Sequence, residues 1–344
     1  MVNRVTKLGG TASGITVRRV SHGLMMMWPT FRRRLLRLYK AGIDALPAGA
    51  KAFLNSGEFY SATGGTENLE LLSRFYAKHP EYVDKTFLSV KGAMVGGQIP
   101  DCSYVFIAFN RVFLELTDTS GAEGLRKSVE NITKALGPHK KLDLFQPARM
   151  DPKVTPEDMM QEGLVALLKE GYFLHIGFSE CNATTLRRAH AVHPVTAAEI
   201  EVSLWVYEQE QQVIIATASE LGVSVSYLRP IGHGFLTASI TSQAEVPKGD
   251  FRAHLTRFNE ENLPHNLRIV APILALAQLC IAWVAALGLH VIPLPGKVSR
   301  TLENLQGDIE LSSEEMVELN ALAAGADIRG HRYLGGSEGQ YLFG

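Results

Sequence analysis

Short apolar runs recur along nearly the whole chain, and each ends in polar or glycine-rich residues. They are AKAFLNSG (50–57), KTFLSVKG (85–92), LDLFQPAR (142–149), FLHIGFSE (173–180), AEIEVSLW (198–205), SVSYLRP (224–230), HVIPLPGK (290–297) and, less sharply, VSHGLMMM (20–27). Helical spacing fills most of the intervals. FRRRLLRLYKAGIDAL (31–46) carries leucines at helical spacing, and 121–137 places Leu125, Val129, Ile132 and Leu136 on one face. TPEDMMQEGLVALLKEG (155–171) and SSEEMVELNALAAG (312–325) open on good N-cap signals. Strands alternating with helices predict a parallel sheet. Eight of them predict a single (β/α)8 barrel, the TIM-barrel architecture, over residues 1–344, with its functional face at the C-terminal strand ends. Those ends are predicted near Met27, Ser56, Lys91, Ala148, Ser179, Leu204, Pro230 and Pro295. The opening TKLGGTASGITVRRVSHG predicts a short N-terminal β-hairpin that plugs the barrel floor.

Composition narrows the function. A hydrophobic content of 46% suits a large core, and a net charge of −1 gives no reason to expect nucleic acid or an anionic membrane. Arg32, Arg33, Arg34, Arg37 and Lys40 read as a solvated helix face. Three scattered cysteines, Cys102, Cys181 and Cys280, fit a reducing compartment. Residues 1–20 lack the apolar core of a signal peptide, so a cytoplasmic location is expected. The longest uncharged apolar stretch, 271–289, contains Pro272 and Gln278 and reads as a buried barrel helix. A monomer is plausible, and the sequence fixes no oligomeric state.

Three constellations carry possible chemistry. Asn55-Ser-Gly-Glu58-Phe-Tyr60 is followed by Lys91 at the end of the next strand. A tyrosine is a weak acid near neutrality, and an adjacent ammonium favours proton release from it. The pair therefore suits a general acid for carbonyl reduction. The same spacing also suits a surface tyrosine and an unrelated strand-end lysine. HVIPLPGKVSRTLEN (290–304) joins a strand to a helix start with Lys297, Ser299 and Arg300, which suits an anion site or an ordinary capped helix. Ser179-Glu180 and Glu199-Ile-Glu201 end neighbouring strands, and alternation points Glu199 and Glu201 the same way. These carboxylates suit holding an amide, sharing a proton or pairing with barrel arginines. His190 and His193 lack a further ligand, so no metal site is expected. The connections 93–120 and 231–263 are long for loops of such a barrel, as binding loops and lids often are. GGTASG near the N-terminus has the wrong spacing for a dinucleotide fingerprint.

Taken in order, KAGIDALPAGAKAFLNSGEFY (40–60), KTFLSVKG (85–92), KKLDLFQPARMDPKVTPEDMM (140–160), the run from His175 to Glu208, GHGFLTASI (232–240), KGDFRAHLTRFNEENLPHNL (248–267), VIPLPGK and LEN resemble the aldo-keto reductases, and within them the fungal pyridoxal reductase branch. The resemblance covers most of residues 8–330. It implies a barrel that binds NADPH without a Rossmann fold and reduces small-molecule aldehydes or ketones. It implies Tyr60 as general acid, with Lys91 and Asn55 beside it, Asn55 standing where most of the family has Asp and Ala148 where it has His. It implies cofactor contacts from Ser179, Glu180 and Glu199, 2′-phosphate contacts from Lys297, Ser299 and Arg300, and adenine contacts from Glu303 and Asn304. Arg149, if it points inward, and Trp28 are candidate substrate or oxyanion neighbours. Leu228 stands where the family has a tyrosine that stacks on nicotinamide, with Tyr227 adjacent, and Arg229 stands where a serine is usual. The segment 296–303 is shorter than in the family, and 95–115 is inserted.

Two functions follow as expectations. One is an NADPH-dependent reduction of an aldehyde or ketone, with pyridoxal or a secondary-metabolite carbonyl as substrate. The other is a non-redox protein on the same barrel, either a binding module or a cyclase or isomerase.

Overall fold

The computed structural model describes residues 4–25, 40–61, 65–93, 121–151, 153–237, 240–246, 251–271, 277–288, 290–292 and 303–332. Met27, Trp28, Pro295, Lys297, Ser299, Arg300 and the insertion at 95–115 lie outside these residues. An antiparallel hairpin, β1 (Val5–Lys7) and β2 (Thr16–Arg18), comes first. Eight strands then form one parallel sheet. They are β3 (His22–Gly23), β4 (Ala52–Gly57), β5 (Thr86–Gly92), β6 (Leu142–Pro147), β7 (Phe173–Ser179), β8 (Ala197–Glu201), β9 (Ser224–Leu228) and β10 (His290–Ile292). They pair in sequence order from β3 to β10. The edges meet where Val20, just ahead of β3, bridges Val291 of β10, with the Ser21 amide donating to the Val291 carbonyl at 2.8 Å. This is the predicted barrel.

Alternation sorts the side chains. Leu54, Val90, Phe145, Ile176, Phe178, Ile200 and Val225 face the helix layer and share its core. Phe53, Phe87, Leu144 and Ala197 face inward at the floor, where they pack on Leu8, Ala12 and Val17 of the hairpin region. The hairpin fits because Gly9 and Gly10 lie against backbone. A Cβ on Gly9 would sit 2.3 Å from the Gly222 carbonyl oxygen and 2.6 Å from the Ser224 nitrogen. We expect Gly9→Ala to cost about 1–3 kcal/mol through overpacking. Denaturant unfolding checks this, and turnover per folded molecule should be unchanged because the mouth lies at the opposite end.

Helices α1 (Glu67–Lys78), α2 (Gly121–Leu136), α4 (Ala183–Val192) and α5 (Gln209–Leu221) follow β4, β5, β7 and β8. The helix α3 between β6 and β7 runs through Pro156–Asp158, a π-helical Met159–Leu164 and Val165–Lys169. The π turn had no visible sequence signal. Before β10 come two helices, α6 (Leu263–Val270) and, within the long apolar stretch, α7 (Ala277–Ala286), and α8 (Ser313–Ala324) opens on the predicted Ser312–Glu315 capping box.

Three strand ends differ from expectation. β3 stops at Gly23 rather than near Met27, the chain entering a turn at Met25. β8 stops at Glu201 rather than near Leu204, because Ser203 and Val206 exchange backbone hydrogen bonds at 3.0 and 2.9 Å in a tight turn. β9 stops at Leu228 rather than near Pro230, because Arg229 turns into the left-handed region at φ 55°. The described residues of the 231–263 connection are largely in short 3-10 turns.

His22 on β3 is packed beneath Gly42, whose missing Cβ would lie 2.4 Å from the imidazole. Burial, helped by the Arg18 charge, holds its pKa down at about 4. A histidine depressed in the folded state stabilises fully above its unfolded pKa near 6.5, and that contribution is lost as pH falls toward 4. We expect stability at pH 4.5 to be lower than at pH 7 by about 2–3 kcal/mol from His22 alone. Urea unfolding of wild type and His22→Leu at the two pH values checks this, since the variant should lose that part of the difference.

Candidate active site

At the C-terminal ends of the strands the inward positions turn polar. Above the aromatic floor, β4 presents Asn55, β5 Lys91, β6 Gln146, β7 Ser179 and β8 Glu199, all buried. Lys91 and Ser179 therefore share one end of the barrel, as predicted. Lys91 forms a short ion pair with Glu199 across the mouth. Its Nζ also donates to Asn55 Oδ1 at 3.4 Å and to the Tyr60 hydroxyl. An ammonium has three N–H groups, and each is aimed at one of these partners. Glu199 is equally engaged. Its second oxygen accepts from Asn55 Nδ2 at 2.6 Å and from Gln146 Nε2.

Tyr60 lies in the turn after β4, and its position has a visible cause. Gly57 carries no Cβ, and one placed there would lie 2.8 Å from the Tyr60 ring. The ring therefore rests over the strand end, edge-on to Phe59, with Lys91 Nζ 5.4 Å from its centroid. The turn is tied down by the Glu58 amide, which donates to the Lys91 carbonyl at 2.7 Å. The Glu58 carboxylate accepts from Ser128 and from Asn131 of α2, and Ser128 Oγ in turn accepts the Ala93 amide. Burial pushes the Glu58 carboxyl above its ordinary pKa, against the lowering effect of these donors.

Burial acts to lower the pKa of Lys91, but the Glu199 charge and Tyr60 outweigh it, so the ammonium is held above its ordinary value. It stays charged through the neutral range. Of the four described non-glycine residues with positive φ, Ala93 (50°), Glu180 (51°) and Arg229 (55°) each follow a barrel strand at this end. Such conformations persist only where surrounding contacts hold them, and they cluster at functional sites.

A second polar cluster lines the β7–β9 side of the mouth. Glu201 pairs with Arg229 at 3.2 Å and with Arg332 at 3.3 Å. Arg332 also reaches Glu180 at 3.2 Å, and Glu180 accepts the Glu201 amide at 3.0 Å. Burial acts to raise the Glu201 pKa, but Arg332, Arg229 and other cations bring it down to about 2. Glu199 and Glu201 thus face the same way and serve separate cations. The Arg332 segment is itself docked by Asn266, which exchanges hydrogen bonds with the backbone of Arg329 at 2.8 and 2.9 Å.

The remaining sequence candidates fall as follows. Ser179 Oγ is buried and has no hydrogen-bond partner among the described residues, so it is available to a ligand amide. Arg149 is buried, with Nη1 on the Ala148 carbonyl at 2.6 Å. Glu303 and Asn304 lie on a helical turn beyond β10, Glu303 exposed. Tyr227 faces the helix layer within the outer core, turned away from the mouth. Cys181 and Cys280 are buried thiols, with pKa pushed up to about 12 by burial. Gln146 and Arg332 were not singled out from the sequence. Gln146 had one signal, a lone polar residue at an inward position of an apolar strand. Arg332 had none, since its partners lie over 100 residues away.

The barrel agrees in fold with known structures. A model of the Aldo/keto reductase family matches residues 31–324, and the chain belongs to that family. It is 30% identical over 338 residues to a probable pyridoxal reductase of Schizosaccharomyces pombe, covering 93% of this chain and 96% of that one. It is 37% identical over 204 residues to an aldo-keto reductase of Strobilurus tenacellus, covering 56% of this chain and 60% of the other. Among solved structures it is similar in fold to a glycerol dehydrogenase of Gluconobacter oxydans (TM-score 0.71, 18% identity, 96% and 98% of the two chains covered). It is also similar to an aldo-keto reductase of Bacillus halodurans in its holo form (TM-score 0.68, 15% identity, 95% and 98% covered). The family is one of oxidoreductases acting on small-molecule carbonyl compounds. Among the described residues, no helix is long and apolar enough to cross a membrane.

Proposed function

We propose that the protein is an NADPH-dependent carbonyl reductase that converts an aldehyde or ketone to its alcohol. The observation that carries this is the Tyr60–Lys91–Glu199 cluster, a phenol in contact with a buried ammonium at the functional end of the barrel. Bound NADPH supplies the hydride. Tyr60 donates the proton to the carbonyl oxygen as negative charge develops there. Lys91 donates a hydrogen bond to the phenol oxygen and so stabilises the phenolate left behind. Asn55 and Gln146 fix the carboxylate that faces Lys91.

The residues present fit a nicotinamide cofactor in part. The Ser179 hydroxyl, buried and unused, suits the carboxamide. Glu180 and Glu199 are already engaged by protein donors, and any cofactor contact they make is additional to those bonds. Lys297 and Arg300 carry positive charge, and Ser299 a hydroxyl, for the 2′-phosphate contacts that the family resemblance implies. Losing one charge-assisted contact should weaken NADPH binding by about 1.5–3 kcal/mol. Fluorescence titration of wild type and Arg300→Ala with NADPH and NADH checks this. We expect wild type to prefer NADPH and the variant to lose most of that preference. Equal affinity of wild type for both cofactors would overturn the NADPH assignment. Pyridoxal is the first carbonyl to assay, because the relative from Schizosaccharomyces pombe is described as a probable pyridoxal reductase.

One observation favours a non-redox reading. Tyr227 is buried in the outer core and cannot supply the ring missing at Leu228. Failure of wild type to bind either nicotinamide cofactor would select that reading.

A further inference from the structure

We infer that Glu199 of β8 is the charge partner of Lys91 and acts as a positioning residue, holding the ammonium in the one orientation that serves Tyr60. This deepens the reductase reading and rests on it for its catalytic consequence. The pairing itself stands on geometry.

Three observations support it. First, Glu199 and Lys91 are both buried and in ion-pair contact, although they come from strands on opposite sides of the mouth. Second, the neighbouring strands supply only neutral groups, Asn55 from β4 and Gln146 from β6, and both donate to the same oxygen of Glu199. Two amides and one ammonium leave that carboxylate little freedom to rotate. Third, Lys91 divides its N–H groups among Glu199, Asn55 and Tyr60. Removing the negative charge removes the partner that fixes where the remaining two point. It also leaves a buried ammonium with no counter-ion among the described residues of this cluster.

The other charged groups nearby are directed elsewhere. The Glu58 carboxylate, in the same turn as Tyr60, is bonded to Ser128 and Asn131 of α2. Arg149, beyond β6, reaches the Ala148 carbonyl, and Glu201, two residues along β8, pairs with Arg229 and Arg332. The Glu199 carboxylate is the largest influence that raises the Lys91 pKa, followed by Tyr60.

The test uses Glu199→Gln, Glu199→Asp and wild type as full-length protein. The first readout needs no activity. Lysines labelled with 13C at the ε position are followed by NMR against pH, and the Lys91 signal is identified by its absence in Lys91→Met. Without its counter-ion Lys91 should titrate about one to three pH units lower in Glu199→Gln. Glu199→Asp should restore much of that shift. The second readout is the pH dependence of kcat for aldehyde reduction at saturating NADPH. In Glu199→Gln, kcat at neutral pH should fall by at least about tenfold, and its alkaline limb should move to lower pH.

An unmoved Lys91 titration in Glu199→Gln overturns the inference. So does a variant that loses only cofactor affinity and keeps the wild-type kcat–pH profile, because Glu199 is then a cofactor contact. Absence of any reductase activity in wild type overturns the proposed function instead, and the NMR titration still decides the pairing. Should Glu199→Gln fail to fold, the double variant Lys91→Met/Glu199→Gln replaces it. That variant should be more stable than Lys91→Met, and equal or lower stability overturns the pairing.

Discussion

Replacing Tyr60 by Phe should abolish measurable carbonyl reduction while the protein stays folded and still binds its cofactor. The substitution removes one hydroxyl and keeps the ring over Gly57 and against Phe59, so the packing that places residue 60 survives. What is lost is the proton donor. General acid catalysis contributes typically about 10²–10⁴-fold, and a drop in kcat of that size is expected. The competing view treats Tyr60 as packing alone. It predicts a change in stability with little change in turnover per folded molecule. Unfolding curves and cofactor titrations run beside the rate measurement separate the two. Retention of the wild-type rate in folded, cofactor-saturated Tyr60→Phe would refute the role given to the phenol.

The second large effect is expected from Lys91→Met, and it should appear in stability as well as in rate. Lys91 answers a buried carboxylate. Without it, Glu199 keeps only the Asn55 and Gln146 donors and remains buried. Breaking a buried pair by removing one partner costs about 3–5 kcal/mol, because the other charge is left uncompensated. Reduction should also slow sharply, since an unassisted phenol is a weak acid near neutral pH. The double variant Lys91→Met/Glu199→Gln should recover much of the stability and none of the rate. Denaturant unfolding of the two single variants, the double variant and wild type completes the cycle. Additive losses would show that the pair is not coupled.

The barrel was legible because its strands are short apolar runs of period two bounded by polar ends, and that pattern survives without any alignment. The mouth was legible for the same reason: a strand's last inward residues define it, and Asn55, Lys91, Ser179 and Glu199 all lie at such positions. The partners of those residues were harder to read. Resemblance pointed to Glu199 as a cofactor contact and gave no sign of its protein partners Lys91, Asn55 and Gln146, a set that closure of the sheet assembles. Gln146 carries no charge, and its one mark was that it is a lone polar residue at an inward position of an apolar run. Arg332 reaches the mouth because Asn266 docks the chain ahead of it, a contact between segments 63 residues apart. The early ends of β8 and β9 came from a local turn and a left-handed Arg229, which hydrophobic patterning does not encode.

The central claim is that this mouth reduces a carbonyl with NADPH, and following the transferred hydrogen tests it most directly. Wild-type protein is incubated with NADPH deuterated at the transferable C4 position and with pyridoxal or a panel of other aldehydes and ketones. The product alcohol is then examined by mass spectrometry. Deuterium on the former carbonyl carbon, lost in Tyr60→Phe, is the predicted result. Saturable NADPH binding with no deuterated alcohol from any carbonyl would contradict the account and select the non-redox use of the barrel.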